Sequence, residues 1–191
     1  MEVGVKTSLF NNRLSITFDA YKLSQTNITQ GAPVPSPVTG RPYYIIIGDT
    51  VDKGEELDAR LQLTPNWQLV LVGWSGTDLN SKGVELDHSM KKTAAFFTRY
   101  NFKDGVLANV SIGGGTYFAG TKYYMSSNRY IPAYQTTNMF IEYKYDQHWR
   151  ASLHVGNLLD KTYISGGSAP DGSSAAWGDP RRIDLVLNYS M

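Results

Sequence analysis

The chain has 191 residues and no cysteine, and its 18 lysines and arginines nearly balance 17 aspartates and glutamates, for a formal net charge of +1. These totals exclude a disulfide framework and a thiolate metal site, and they give no general electrostatic field for nucleic acid. The 13 tyrosines and 18 glycines suit strands and turns better than helices.

Apolar and polar side chains alternate with period two through the first half of the chain, as in strands with one apolar and one polar face. The pattern predicts strands at 2–10, 14–27, 43–64 and from 67 onward, joined by turns at 11–13 and 65–66 and a long connection at 28–42. Gly48 and Gly54 predict a bend or bulge in the third strand. The fourth strand alternates weakly because Val70, Val72 and Trp74 make both faces apolar.

Five further strands are predicted in the second half, and no stretch predicts a helix. They lie at 93–102, 106–112, 138–145, 150–156 and 182–190, with short turns at 103–105 and 146–148 and long connections at 79–91, 120–133 and 164–180. The turn Lys103-Asp104-Gly105 is typical of a hairpin. The glycines at 113–115 lack the lysine and helix of a phosphate-binding loop and predict a thin, bent strand.

Short and long connections alternate strictly along these nine strands. Short turns at one end and long loops at the other are typical of an outer-membrane barrel, whereas a soluble sandwich mixes loop lengths at both ends. Aromatic residues also fall into two groups. Those near the short turns are Phe10, Trp67, Phe102, Tyr145, Trp149 and Tyr189, and those near the long loops are Tyr21, Trp74, Tyr117, Tyr134 and Tyr163. Two aromatic belts at the two membrane interfaces are predicted, although Tyr and Trp are also simply good strand residues.

Several segments, in order along nearly the whole chain, match one family. They are EVGVK at 2–6, FNNRL at 10–14, KGEELD at 53–58, LTPNWQL at 63–69, NLLDKTY at 157–163 and DPRR at 179–182. With them the chain resembles the C-terminal part of TonB-dependent outer-membrane receptors, in particular the ferric-siderophore branch. The resemblance implies an all-β fold over residues 1–191: a portion of an antiparallel up-and-down transmembrane β-barrel, about nine strands of about 22.

The chain departs from the family pattern in two ways. The family usually closes on an aromatic residue, whereas this chain ends at Met191, with Tyr189 two residues earlier. The plug domain, the segment that contacts TonB and the earlier barrel strands have no counterpart in the sequence. An open sheet of nine strands would leave two unpaired edges, which a bilayer does not tolerate. We therefore expect a fragment that does not transport by itself.

The resemblance implies a receptor rather than an enzyme, without a cofactor. Its implied partners are a ferric siderophore, the plug and N-terminal strands of the same receptor, TonB, and outer-membrane lipid, with no nucleic acid. Two alternatives stay open: a small self-contained barrel acting as a passive pore or adhesin, and a soluble β-sandwich binding module.

Two sets of residues are candidates for function. Nine charged residues are predicted to share the polar face, lining a lumen and contacting the plug: Glu56, Asp58, Arg60, Arg99, Glu142, Lys144, Arg150, Arg182 and Asp184. Aromatic residues with an arginine near the long loops suit an anionic iron chelate: Tyr43, Tyr44, Tyr123, Tyr124, Arg129, Tyr130 and Trp177. The histidines His88, His148 and His154 lack the spacing of metal ligands, so no metal site is predicted.

Overall fold

The computed structural model describes residues 1–32, 35–86, 89–124, 129–167 and 175–191. The strands are β1 Glu2–Leu9, β2 Leu14–Gly31, β3 Tyr44–Thr64, β4 Trp67–Asn80, β5 Lys92–Asn101, β6 Val110–Ala119, β7 Lys122–Tyr124, β8 Arg129–Ile131, β9 Tyr134–Lys144, β10 Trp149–Gly156, β11 Ile164–Gly167, β12 Ala175–Trp177 and β13 Arg182–Tyr189. A 3-10 turn occupies Gly105–Leu107. Within these ranges, no helix is long and apolar enough to cross a membrane.

One antiparallel sheet contains nine of the described strands, in the order β1-β2-β3-β4-β5-β6-β9-β10-β13. Each strand of this sheet pairs with the next strand of the same sheet along the chain, which confirms the predicted up-and-down arrangement. The other described strands form two separate pairs, β7 with β8 and β11 with β12, inside two of the long connections. These pairs were not predicted because strands of three or four residues are too short to show a clear alternation.

The register of the sheet gathers the apolar side chains on one surface, which we call the apolar face. One row of directly paired residues crosses six strands: Val5, Phe18, Leu57, Gly73, Ala94 and Phe118. A second row crosses five: Tyr100, Ile112, Ile141, Leu153 and Leu185. A slip of one residue would move such a row to the other surface, so the shared face specifies the pairing strongly.

Large side chains on the apolar face are not covered by any described part of the chain. Val5 is 64% exposed and Leu185 is 70% exposed. Among the described residues, the fully buried apolar side chains are instead a small group near the long loops: Ala119, Tyr123, Tyr124 and Ile131. An apolar face of this extent requires apolar surroundings. Such a face marks a surface that lipid or another protein covers.

The opposite surface, the polar face, contains the nine charged residues that were predicted to share it. Arg99 pairs with Gln68, and Glu142 pairs with Ser111 and Ser152, so these polar side chains form rows of their own. On β6, Gly113 and Gly115 leave this face open, which lets the rings of Phe97 and Phe140 stack at 6.1 Å and 8° across the strand between them. The pairing of β6 continues through the glycines, so the strand is not interrupted. It has little side-chain bulk at this point, as predicted for a thin strand.

Two other glycine predictions have different outcomes. Gly48, with φ of 93°, lies at a register shift between β2 and β3, which confirms a bulge there. Gly54 lies in regular pairing with Tyr21 and Gly76, so the bend predicted at this position is wrong. Its role is to make room: an added Cβ would lie 2.6 Å from the Tyr21 hydroxyl and 2.9 Å from the Trp74 ring nitrogen.

The prediction of a tight hairpin at 103–105 is also wrong, because the connection there is longer. Gly105 (φ 76°) and Asn109 (φ 67°) adopt left-handed backbone on either side of the 3-10 turn, and β6 begins only at Val110. Val106, expected in the strand, is fully exposed. The turn at 146–148 is as predicted. There, backbone N–H groups of Trp149 and His148 donate to the Asp146 carboxylate, each at 2.7 Å, and hold the pKa of Asp146 below its ordinary value.

The aromatic belt near the short turns lies on the apolar face, as predicted. Trp149 and Tyr189 are paired there with ring centroids 4.9 Å apart, and Trp67 packs edge-on against Tyr100 at 6.3 Å. The second belt is wrong. Four of the residues near the long loops lie on the polar face instead: Tyr21, Trp74, Tyr117 and Tyr134. Their strand partners lie on the same face: Tyr21 pairs with Gly54, and Tyr117 pairs with Ala95 and Thr136.

Substitution of Gly113 tests the packing of the polar face. In Gly113→Ala the new Cβ would lie 2.5 Å from both the Phe140 ring and the Thr98 carbonyl oxygen. We expect the free energy of unfolding to fall by about 1–3 kcal/mol, as for other overpacked sites, measured by urea titration in lipid or detergent. The matched control is Gly73→Ala, whose Cβ has its nearest neighbour at 3.8 Å. Equal stability of the two variants would contradict this role for Gly113.

Candidate ligand-binding site

A cavity of about 690 Å³ opens on the polar face over β5, β6, β9, β10 and β13. Its lining mixes charged, amide and aromatic side chains: Phe97, Arg99, Asn138, Phe140, Glu142, His154, Asn157, Tyr163, Asp179, Arg182 and Asp184 are among them. It extends from the middle of the sheet towards the long loops, where Tyr163 and Asp179 belong to the connection between β10 and β13.

A polar network centred on Arg99 closes the end of the cavity nearer the short turns. Arg99 Nη2 lies 2.6 Å from Glu142 Oε1 and donates to Ser111 Oγ at 3.0 Å, while Arg99 Nε donates to Asn101 Oδ1 at 2.8 Å. Arg150 lies 3.8 Å from the other oxygen of Glu142. Because the Arg99 guanidinium is hydrogen-bonded on several sides at once, the network fixes the position of the guanidinium against the sheet.

An aromatic row forms the floor of the cavity beside this network. The rings of Phe97 and Phe140 stack across the glycines of β6, and Phe140 stacks in turn on His154 with centroids 5.9 Å apart. The Arg99 guanidinium carbon lies 5.5 Å from the Phe140 ring centroid, a cation–π contact. Sequence reasoning placed Arg99 on this face but missed the row, because the sequence does not show that Gly113 pairs with Phe140 and Gly115 with Phe97.

Asn157 organises the loop that follows β10. Its side chain is buried, and its Nδ2 donates to the carbonyl oxygens of Lys161 at 2.8 Å and Asp179 at 2.9 Å. Its Oδ1 accepts the Lys161 N–H at 2.9 Å, and its own N–H donates to Asn138 Oδ1 at 2.8 Å. The left-handed backbone of Asn157, with φ of 46°, allows this turn. The Asn157 side chain thus ties the two ends of the connection together, and its backbone N–H ties them to β9.

A second clamp and a stack of tyrosines complete the same region. Asp160 Oδ1 accepts the Arg181 N–H at 2.8 Å. Tyr163 stacks on Tyr134 at 4.2 Å, and Tyr134 contacts Tyr117 edge-on at 6.3 Å. Gly178 lies directly against the Tyr163 ring, where no Cβ would fit. The segments at 157–163 and 179–182 are therefore the two halves of one loop base.

Two long connections are packed against each other at the same end of the sheet. Glu85 receives a hydrogen bond from the Tyr130 hydroxyl at 2.8 Å and pairs with Lys91 Nζ at 2.7 Å, and Lys91 also lies 5.2 Å above the Tyr130 ring. The hydrogen bond from Lys91 is the main cause of a lowered pKa of Glu85, and the same bond raises the pKa of Lys91. The Tyr123 N–H donates to the Ser89 carbonyl at 2.9 Å.

The candidate chelate ligands lie on three of the long connections. Tyr43 precedes β3, Tyr44 begins it and is 78% exposed, and Trp177 ends β12 and is 62% exposed. The other four belong to the β7–β8 pair, where Tyr123 stacks obliquely on Tyr130 at 5.1 Å and Tyr124 pairs with Arg129. Tyr124 is 1% exposed and Tyr123 9%, so both face the small loop core, whereas Tyr130 and Arg129 are exposed.

The described residues contain no group of three or more His, Asp or Glu side chains placed as metal ligands. His148 lies in the short turn, where its Nδ1 is 2.9 Å from the Ser190 carbonyl, and His154 lies on the polar face beside Ser152. His88 lies outside the described residues.

Comparison with known proteins gives one family. The family model described as "TonB dependent receptor-like, beta-barrel" matches residues 1–158. The chain is 29% identical over 199 residues to the ferric-pyoverdine BN7/BN8 receptor of Pseudomonas putida, covering 99% of this chain and 22% of the receptor. It is 25% identical over 198 residues to the ferrichrome outer membrane transporter/phage receptor of Escherichia coli, covering 98% of this chain and 26% of the transporter.

A solved structure agrees in fold. The pyoverdine outer membrane receptor FpvA of Pseudomonas aeruginosa PAO1, bound to pyoverdine, superimposes with a TM-score of 0.78 at 22% identity, covering 100% of this chain and 29% of that receptor. The chain thus spans about a quarter of the length of the relatives that it matches.

Substitution of Asn157 tests the loop base. In Asn157→Ala, two carbonyls and one N–H lose their partner, and buried groups left unpaired cost about 1–3 kcal/mol each. We expect amide hydrogen exchange at residues 158–163 and 179–182 to become at least tenfold faster, while exchange in β2 and β3 is unchanged. The control Asn188→Ala removes an exposed amide from the same face. Unchanged exchange in the Asn157 variant would contradict the proposed clamp.

The contact between Glu85 and Tyr130 predicts a dependence on pH. Because the pKa of Glu85 is lowered from an ordinary 4.5, the contact stabilises the loops above that value and loses its effect as the pH falls through the lowered pKa. Tyr130→Phe removes the hydroxyl donor. We expect faster exchange of the Tyr123 amide at about pH 7 and little difference at an acidic pH below the lowered pKa of Glu85, after correction for intrinsic rates.

The matched control for this loop contact is Tyr44→Phe, which removes a hydroxyl from an exposed ring on another connection. It is expected to leave the Tyr123 amide unchanged at both pH values. An equal effect of Tyr130→Phe at neutral and acidic pH would show that the Glu85 carboxylate is not involved.

Proposed function

Because the chain belongs to the TonB-dependent receptor β-barrel family, we propose that it forms part of the wall of an outer-membrane receptor that takes up ferric siderophores. The chain spans about a quarter of its relatives, so uptake is proposed for the whole protein that contains it. The relatives are receptors and transporters by name, and we propose no enzymatic activity.

The observation that supports this proposal most directly is the continuous apolar face. Paired rows such as Val5, Phe18 and Leu57 keep that face apolar from β1 to β13, while the opposite face is charged and contains the cavity. A soluble sandwich would cover its apolar face with a second sheet, whereas a barrel wall exposes it to lipid and turns the polar face to the lumen. This favours a barrel wall over the binding-module alternative.

The edges of the sheet suggest the remaining partners. In the described residues, β1 and β13 each have a neighbour on one side only. Unpaired backbone groups are not tolerated in the hydrocarbon region, so we propose that further strands of the same receptor complete the barrel. The plug would lie against the polar face, with Arg99 and Glu142 among the residues next to it, and energy would reach the receptor through TonB.

The proposed ligand is an anionic ferric chelate, as in the names of the relatives. Tyr43, Tyr44, Arg129 and Trp177 are reachable from solvent at the long-loop end. Aromatic faces provide stacking for planar chelating groups, and an arginine meets the negative charge. Tyr123, Tyr124 and Tyr130 are engaged in the packed loops, so we propose that they affect binding by holding Arg129 in place.

The proposal is tested by uptake of radioactive iron. The full-length polypeptide that contains this chain is expressed in cells without other siderophore receptors, which are then supplied with ferric pyoverdine, ferrichrome or a ferric catecholate. We expect saturable uptake of at least one chelate, abolished by a protonophore because TonB-dependent transport requires the inner-membrane gradient. Uptake that is unsaturable and insensitive to the protonophore would instead support a passive pore.

The ligand residues are tested in the same system. Trp177→Ala is expected to weaken binding of the transported chelate about fivefold, since a lost ring contact costs on the order of 1 kcal/mol. The control Phe10→Ala removes an equally exposed ring at the short-turn end. Unchanged affinity in Trp177→Ala, Tyr123→Ala and Tyr124→Ala together would contradict the assignment of these loops.

A further inference from the structure

A groove of about 300 Å³ lies on the apolar face towards the long-loop end. Gly73 and Ala94 are paired at its floor, and the surface is recessed there because glycine has no side chain and that of alanine is small. Phe18 and Leu57 form one wall, and Phe118 forms the other. All five belong to a single row of paired residues, so the groove is a gap in an otherwise bulky apolar surface. These five apolar residues give the groove a hydrocarbon-like floor and walls, while Glu55, Ser75 and Lys92 also line it.

A cluster of lysines lies directly above this groove on the same face. The next row towards the long loops pairs Glu55 with Ser75 and Ser75 with Lys92. The row after that pairs Lys22 with Lys53 and Lys53 with Thr77. Because side chains of one face recur every second residue, these groups share the surface of Phe18 and Leu57 rather than the polar face. These two rows therefore place three cations, one carboxylate and two hydroxyls together on this surface, next to the groove.

The height of this cluster matches a membrane interface. From Leu63, near the short turn, to Lys53 there are ten residues of β3, about 33 Å along the strand. At the tilt of about 40° that barrel strands adopt, this corresponds to roughly 25 Å along the membrane normal, the height of the apolar band of an outer-membrane barrel. Lys53 and its neighbours thus lie where lipid headgroups begin.

The three lysines are not neutralised by the described protein. Lys22, Lys53 and Lys92 are exposed, and none is within ion-pair distance of a described carboxylate. Glu55 is the acidic residue among them, so the cluster has a net charge of +2 from the sequence. Directly opposed cations such as Lys22 and Lys53 destabilise a sheet. An external anion that bridges them would remove this cost.

We propose that the groove and the lysine cluster together bind one phosphorylated lipid of the outer leaflet. An acyl chain lies in the groove over Gly73 and Ala94, and the headgroup phosphate contacts Lys53 and Lys92, with Lys22 in reach. Lys53 and Lys92 lie two strands and two residues apart, about 12 Å between backbones, which two lysine side chains span around a headgroup. This surface is distinct from the loops proposed to bind the chelate.

The test measures lipid binding by the full-length polypeptide that contains this chain. The protein is purified in detergent, delipidated, and titrated with dimyristoyl phosphatidate or with dimyristoyl phosphatidylcholine, and bound lipid is counted by native mass spectrometry. We expect tighter binding of phosphatidate, because each lysine near an anionic headgroup contributes roughly a fivefold gain in affinity. Replacement of Lys22, Lys53 and Lys92 together by glutamine is expected to weaken phosphatidate binding by roughly 100-fold.

A second variant tests the groove without changing charge. Gly73→Leu fills the groove, and its Cβ meets no atom closer than 3.8 Å, so the sheet can accept it. We expect at least a tenfold loss for both lipids. The control set replaces Lys6, Lys103 and Lys161, which lie outside the cluster, by glutamine, and wild-type binding is expected. Equal binding of the two lipids, or wild-type binding by the triple Lys22/Lys53/Lys92 variant, would overturn the proposal.

Transport provides an independent readout. All of these variants are expected to bind the transported chelate like the wild type, because the cluster and the groove face lipid. A loss of phosphatidate binding with normal chelate binding supports the lipid site. Normal phosphatidate binding in every variant overturns it whether or not the protein transports iron.

Discussion

Backbone pairing without interruption is the constraint on which the rest of this structure depends. In a hydrocarbon environment every N–H and C=O group must have a partner within the protein, and an antiparallel sheet provides one through its neighbouring strands. Once the strands pair, the register decides which side chains meet lipid. The row from Val5 to Phe118 shows that six strands keep one register over that distance. The apolar face, the polar face and the groove all follow from this alignment.

The polar face uses the same register for a different purpose. Glycines at 113 and 115 remove side chains from one strand, so rings on β5 and β9 meet across it and form the floor of a cavity. Arg99 is held over that floor by Glu142, Ser111 and Asn101. Towards the loops, Asn157 and Asp160 connect β10 to β13 through side-chain bonds to the backbone. The recess is therefore fixed by strands at its base and by a clamped loop at its rim.

The two ends of the sheet differ in how they are stabilised. Short turns are closed by local hydrogen bonds, as where Asp146 accepts two backbone N–H groups. The long connections pack on each other instead, with Tyr124, Ile131 and Ala119 buried between them and Glu85 joined to Tyr130 and Lys91. Such packing gives the exposed Arg129 of β8 a fixed base, as the proposed ligand surface would require.

The sequence by itself determined the strands of the main sheet, their order and the division into two faces, because period-two alternation is a local property of each segment. It also indicated the family, through short segments such as NLLDKTY whose structural role, the Asn157 clamp, became clear only in three dimensions. Tertiary structure decided what depends on neighbouring strands: the contact between Tyr21 and Trp74, the regular pairing at Gly54, and the burial of Tyr124. It also decided the late start of β6 and the β7–β8 pair. Which tyrosine is buried and which glycine makes room for a ring depend on residues far away in sequence, brought opposite by the register.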